Sequence, residues 1–166
     1  MARILTDDEI EALLREPKRL PADWQSILQP RRRVRFLHKE KSIDLRGEWG
    51  NNFILYVRSS SLNPLDFSVI LVILDKDGTE YRLLRANGKH ASRHTNLWEK
   101  GRGLSPSRLP VGFHVHKATQ RYQEEGFRID GYAETCQEYE TLEQAVHYVV
   151  KEANAVLPAG SQLPLM

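Results

Sequence analysis

The chain has 166 residues, of which 40% are hydrophobic and 28% are charged, and its formal net charge is +2. This composition excludes a disordered chain, and the single cysteine, Cys136, excludes an internal disulfide. The longest apolar run, Val69–Leu74, is far shorter than the roughly 20 residues of a membrane-spanning helix. No apolar signal segment follows Met1, so we expect a cytoplasmic protein with no membrane partner.

The positive charge is concentrated in the middle of the chain. Residues 82–128 contain ten Lys and Arg against three Asp and Glu, whereas residues 129–166 contain one against six. A basic region of this kind attracts a polyanion such as RNA, unless charges of opposite sign pair on the folded surface.

Two helices are indicated by their first residues. Thr6 with Glu9, and Thr141 with Gln144, have the spacing of a capping box, in which each side chain bonds the other residue's backbone amide. Apolar residues recur at helical spacing after Thr141, which predicts an amphipathic helix packed across a sheet. Pro17 is expected to stop the first helix.

Between these helices the hydrophobic period changes to two, which is typical of strands. The buried segment Phe67–Leu74 predicts a central strand, and Lys76-Asp77-Gly78 predicts a hairpin turn after it. The sequence therefore predicts an α+β fold: a curved antiparallel sheet of about five or six strands, with the C-terminal helix packed on one face and the N-terminal helix at the edge. Residues 1–156 are expected to form one domain and residues 157–166 a flexible tail.

The candidate site lies between Lys89 and Tyr132, where four of the six histidines occur. About twenty residues after Gly88 have no regular pattern, and a loop of that length in a small domain is usually functional or mobile. In the following strand His114 and His116 share one face. Two imidazoles with pKa values near neutrality suit RNA cleavage, in which one group takes the 2′-hydroxyl proton and another protonates the leaving oxygen.

The predicted site residues fall into two groups. The catalytic candidates are His94, His114, His116, Lys117 and Tyr122. The candidates for nucleic-acid binding are Lys89, Arg93, Thr95, Asn96, Arg121, Arg33 and Arg35. The arginines near position 33 suit a phosphate-binding stripe or a charged edge strand equally well.

The same histidines also allow a metal site. His90 and His94 together with His114 and His116 offer three or four nitrogen ligands for zinc or another transition metal. Against a metal, no HExxH motif occurs and no carboxylate lies within three residues of any of the four. We therefore predict no cofactor, with this metal site as the alternative.

Once these residues are set out, the chain resembles an uncharacterised bacterial family of small cytoplasmic domains, sometimes encoded beside toxin–antitoxin-like genes. The match covers about residues 5–125 as an order of features. These features are Leu5-Thr6-Asp7-Asp8-Glu9, Arg-containing strands, the run Val69–Asp75, His94-Thr95-Asn96 and His114-Val115-His116. An aromatic residue expected soon after the last motif is absent, because Lys117-Ala118-Thr119 follows.

The resemblance implies a toxin-type, RNA-directed protein and carries over His94, Thr95, Asn96, His114 and His116 only. We therefore predict a metal-independent endoribonuclease, the toxin of a toxin–antitoxin pair, with RNA as substrate and an antitoxin-type protein as a possible partner. A non-catalytic module that binds nucleic acid or protein through a basic face is the first alternative. A histidine-ligated, metal-dependent hydrolase is the second, and the oligomeric state stays open.

Overall fold

The strands form one curled open sheet in this computed structural model, which describes residues 3–28, 31–32, 38–89 and 92–158. Nine strands within these ranges belong to the sheet. They are β1 Lys18–Arg19, β2 Arg31–Arg32, β3 His38–Gly47, β4 Asn52–Ser60, β5 Phe67–Leu74, β6 Glu80–Asn87, β7 His114–Lys117, β8 Tyr132–Thr135 and β9 Ala155–Val156. Eight follow the order β8-β7-β6-β5-β4-β3-β1-β9, and β2 pairs with β3 beside that path.

The α+β class and the meander from β3 to β6 agree with the sequence prediction, but the predicted count of five or six strands is wrong. The additional strands β1, β2 and β9 have two residues each, so they are too short to show a hydrophobic period. The sheet is also not entirely antiparallel, because β1 and β9 pair in parallel.

The described ranges contain four α-helices: α1 Asp7–Arg15, α2 Leu97–Gly101, α3 Gln120–Glu124 and α4 Leu142–Glu152. They also contain one 3₁₀ turn, Trp24–Leu28. Both reciprocal bonds of the predicted capping box at Thr6 and Glu9 are present. At α4 the Thr141 hydroxyl accepts from the Gln144 amide, but the Gln144 side chain accepts from the amide of Glu140 instead of Thr141. None of these helices has the length and apolar character that crossing a bilayer needs.

One face of the sheet, here called the packed face, carries the hydrophobic core. Leu55 and Val57 of β4 lie opposite Leu71 and Val69 of β5, and all four are at most 1% exposed. Helix α4 packs over β5 and β6 on this side, with Val146 among its buried residues. Burial of each such aliphatic side chain contributes about 1.5–3 kcal/mol to the stability.

The opposite face, here called the open face, carries many polar side chains, although the β5 residues Ile70 and Val72 on this face are apolar and 2% exposed. In one row Tyr56 pairs with Ile70, Ile70 with Arg85, and Arg85 with His116. The row thus leads from the middle of the sheet to β7.

Both ends of the domain meet at Lys18, which has no accessible surface. Its ammonium group donates to the carbonyl oxygens of Leu13, Glu16 and Ala153 at 2.6–2.8 Å. These oxygens belong to the C-terminal ends of α1 and α4, where a cation is favoured by the helix dipole. Burial lowers the pKa of Lys18 to about 8, and the nearby charge of Glu16 opposes that shift.

The predicted tail begins at Leu157, and this residue still packs against the core. Residues 159–166 lie outside the described ranges, so their flexibility stays a prediction.

Candidate functional site: a histidine cleft

The segment between β6 and β7 is fastened to the edge strand β8 by Asn96. This side chain has no accessible surface; its oxygen accepts from the Ala133 amide, and its nitrogen donates to the carbonyl oxygens of Ala133 and Pro106, at 2.7–2.9 Å. Asn96 therefore satisfies both backbone groups of Ala133, as a further strand would. Thr95 forms a backbone bridge with Arg108, which closes the base of the segment.

This fastening brings three imidazole rings together over the open face. The ring centroid of His94 lies 4.6 Å from that of His116 and 6.0 Å from that of His114, and the last two are 5.1 Å apart. The rings line a cavity of about 260 Å³, here called the histidine cleft. Its lining consists of Arg85, Asn87, Ser92, Arg93, His94, His114, His116, Arg128 and Gly131.

His94 is held by one of its two ring nitrogens. Its Nε2 lies 2.8 Å from the carbonyl oxygen of Gly131 and 3.0 Å from the Asn96 side-chain oxygen. Both atoms only accept, so Nε2 carries a proton and donates it to them. Nδ1 has no hydrogen-bond partner within the described part of the chain, and it is therefore free to act on a ligand.

His114 is engaged at both nitrogens. Its Nδ1 donates to the Gly112 carbonyl at 2.9 Å, and its Nε2 faces the Asn87 amide nitrogen at 3.3 Å. The Ser68 hydroxyl donates to the Asn87 side-chain oxygen, which turns the amide nitrogen toward the ring. These contacts hold the His114 ring in place through both of its nitrogens.

His116 combines a fixed tautomer with a vacant nitrogen. Its Nδ1 donates to the Asp130 carbonyl at 2.8 Å, so the lone pair is on Nε2. No hydrogen bond to Nε2 occurs among the residues that the structure describes. Burial lowers the pKa of His116 to about 2, and the charge of Arg85 and the two neighbouring imidazoles act in the same direction. The ring is therefore neutral at neutral pH.

Three guanidinium groups make the cleft positive. Arg85 lies 3.0 Å from the carboxylate of buried Asp130, although the two groups are not aligned for a hydrogen bond. Arg93 and Arg128 are exposed and form no ion pair within the described ranges. The described lining contains no carboxylate, so the cleft favours an anion.

Several predicted site residues lie outside this lining. Lys117 pairs with Glu134 at 3.0 Å, and it points away from His116 because consecutive strand residues face opposite sides. Tyr122 is 1% exposed, and its hydroxyl donates to Glu99 at 2.6 Å.

Arg121 is near these groups, not in the cleft. Its guanidinium bonds the other oxygen of Glu99 at 2.6 Å and lies over the rings of Trp98 and Tyr132. Lys89 is exposed, and its backbone amide bonds the carbonyl of Leu65.

The predicted residues Arg33, Arg35 and His90 lie outside the described residues. Within the described ones, no group of three His, Cys, Asp or Glu side chains is arranged to hold a metal ion. For His114, the hydrogen bonds at both nitrogens explain why it is unsuited as a ligand.

Sequence reasoning missed Arg85 and Arg128 as cleft residues. A register shift between Leu71 and Val72 of β5 places Leu83 and Leu84 of β6 both in the interior. As a result Arg85 joins the open face, whereas strict alternation from Arg82 would direct it into the core. The pair of adjacent leucines was the available signal. Arg128 reaches the cleft from the turn before β8, and no sequence pattern indicates that.

No protein-family model, curated protein or solved structure matches the chain. The bacterial resemblance drawn from the order of motifs accordingly stays a prediction.

Proposed function

We propose that the histidine cleft binds a phosphodiester of RNA and cleaves it by acid–base catalysis, which makes the protein an endoribonuclease. The observation that supports this proposal is the pairing of two available imidazole nitrogens with three arginines in one cavity. His116 presents a lone pair on Nε2, and His94 presents Nδ1.

In the proposed reaction the bound phosphate anion raises the pKa of His116 from the low value that burial gives it, and neutral His116 then takes the proton of the 2′-hydroxyl group. The 2′-oxygen then forms a bond to phosphorus while the bond from phosphorus to the 5′-oxygen breaks. Protonated His94 gives its Nδ1 proton to that leaving oxygen, so the products are a 2′,3′-cyclic phosphate and a free 5′-hydroxyl. No net charge or proton is gained, and water can then open the cyclic phosphate with the two roles reversed.

The arginines stabilise the extra negative charge that develops on the phosphoryl oxygens. Arg85, Arg93 and Arg128 surround the cavity, and a guanidinium group suits bidentate contact with phosphate. His114 acts as a positioning residue, because its hydrogen bonds hold it against the other two rings.

The toxin role, the antitoxin partner and the cytoplasmic location are proposed from the resemblance and from the exposed charges. Exposed Arg93 and Arg128 would suit an acidic antitoxin that covers the cleft, and the cytoplasm is where such an enzyme would meet its RNA.

The test incubates purified protein with total RNA in excess EDTA, beside the His116→Asn variant. Asparagine retains a donor for the Asp130 carbonyl but lacks Nε2, so we expect cleavage to fall by about 10²–10⁴-fold with an unchanged melting temperature. Arg128→Ala should weaken RNA binding, whereas the matched Arg15→Ala on exposed α1 should leave it unchanged.

Two other results would overturn the proposal. Salt-sensitive RNA binding without any cleavage would identify a binding module. Cleavage that disappears with EDTA and returns with zinc or manganese would identify a metal-dependent hydrolase.

A further inference from the structure

We infer that the open face beside the histidine cleft is a binding track for single-stranded RNA, on which Tyr56 stacks an unpaired base. This inference rests on the proposed function, because the track is defined by its continuity with the cleft.

The track follows the row that pairs His116 with Arg85, Arg85 with Ile70 and Ile70 with Tyr56. Neighbouring strands are about 4.8 Å apart, so three strand spacings put Tyr56 about 14 Å from His116 along the sheet. An RNA strand held at the cleft reaches that distance within a few nucleotides. Between the two ends Ile70 is 2% exposed, and the side chain of Arg85 is 16% exposed and lies 3.0 Å from Asp130. The surface that the RNA crosses there is therefore formed by the larger side chains that flank Ile70.

Tyr56 has the surroundings of a stacking platform. It is half-buried, its hydroxyl bonds Glu80, and the guanidinium of Arg58 lies 5.8 Å from the ring centroid. Arg58 is held in turn by Glu40 at 2.8 Å. Aromatic rings fixed on an exposed sheet face are a common way of holding unpaired bases, since every base has a flat face to stack.

The charges on the open face favour the same path for the RNA strand, from the cleft over Arg85 to Tyr56. Half-buried Arg82 forms no ion pair within the described part of the chain and adds a positive group beside Arg85. The carboxylates of Glu80 and Glu40 near Tyr56 are engaged by its hydroxyl and by Arg58. Exposed Asp44, two residues along β3 from the partner of Tyr56, forms no ion pair within the described ranges and repels phosphate. The strand therefore passes over Arg85 and Tyr56 on the side away from Asp44.

The depth of the catalytic rings argues for a single strand. His114 is 6% exposed and His116 is 4% exposed, so a scissile phosphate must enter the cavity to reach Nε2. An A-form duplex is stiff, so it cannot bring its scissile phosphate and both of its backbones into a cavity of about 260 Å³. A single strand can bend to do so and can turn its bases toward Tyr56.

The experiment measures cleavage of uridylyl-adenosine and of a single-stranded decanucleotide by wild type, Tyr56→Ala and Tyr56→Phe. The dinucleotide fills only the cleft, whereas the decanucleotide also covers the track. We expect Tyr56→Ala to raise KM for the decanucleotide about tenfold with kcat unchanged, and to leave both constants for the dinucleotide unchanged. Tyr56→Phe keeps the ring and should match wild type.

The outcomes separate the inference from the proposed function. Equal KM values for the decanucleotide in wild type and Tyr56→Ala, or equal cleavage of the decanucleotide and its duplex, would overturn the track while leaving the ribonuclease intact. If wild type cleaves neither substrate, the proposed function fails. Fluorescence anisotropy with the labelled decanucleotide then tests the track alone: weaker binding by Tyr56→Ala supports it, and unchanged binding overturns it.

Discussion

The two faces of the sheet differ in the burial and polarity of their side chains. On the packed face, Leu55, Val57 and Leu71 are almost entirely buried beneath α4 and its neighbours. On the open face, the same strands carry Tyr56 and Arg58 to solvent. Because side chains alternate along a strand, β4 buries apolar side chains on one side and presents larger polar ones on the other, whereas the central strand β5 is buried on both sides.

Strand β6 shows how closely the two faces are joined. Ala86 has no accessible surface and belongs to the core, whereas its neighbours Arg85 and Asn87 line the histidine cleft. The bulge at Leu83 and Leu84 sets which residues face which side. A change of one residue in this register would bury a guanidinium group and expose the core.

The largest effect that separates the faces is expected from Leu71→Ala. Leu71 lies in the central strand with no exposed surface, so the cavity should lower the free energy of unfolding by about 4 kcal/mol. Ile54→Ala, on the half-exposed opposite side of β4, should lower it by about 1 kcal/mol. Urea unfolding of both variants measures the difference, and equal losses would contradict the division between the faces.

A smaller effect is expected from Lys18→Met. Lys18 is a buried charged residue among the apolar side chains of the packed face, and this variant tests its contribution to stability. The ammonium of Lys18 lies 4.5 Å from the ring centroid of Phe53 and bonds helix-end carbonyl groups. Methionine fills similar space but leaves those oxygens without a donor, so stability should fall by about 3 kcal/mol.

The matched control for that variant is Lys151→Met, at an exposed position in the last turn of α4, with an expected change within about 0.5 kcal/mol. Thermal and urea unfolding measure both variants. A neutral Lys18→Met would mean that the helix ends are satisfied without the ammonium group.

The smallest effect concerns the pH dependence of the open face. The pKa of His116 is about 2 in the folded protein, against an ordinary value of 6.5, so the unfolded chain binds the extra proton first on acidification. Stability is therefore lost as the pH falls below about 6.5, by about 2 kcal/mol between pH 7 and pH 5 for this group. Urea unfolding at both pH values should show a loss smaller by that amount in His116→Asn, and identical losses would contradict a neutral, buried His116.

Much of the packed face could be predicted from the sequence, because its signals are local. The run Phe67–Leu74 was assigned to the central strand with the bounds that the structure has, and the cap at Thr6 and Glu9 was found from spacing alone. The helix beginning after Thr141 followed from its apolar period.

The open face depends on contacts that are distant in sequence. The histidines were recognised as a group, but the role of Asn96 depends on Ala133, which is 37 residues away. The period of two predicted for the strands takes no account of the bulge in β6, so Arg85 was not assigned to the cleft. Lys117 was listed with His116 among the catalytic candidates, although adjacent strand residues face opposite ways.

The buried ammonium of Lys18 also has a consequence for biosynthesis. Its acceptor on Ala153 is 135 residues further along the chain, so this contact forms only when nearly all of the described protein has been translated. At about 5–20 residues per second, the ribosome needs roughly 7–27 s to synthesise the intervening residues. During synthesis the contact between Lys18 and Ala153 forms long after α1 has been made, and this topology favours late, slow completion of folding.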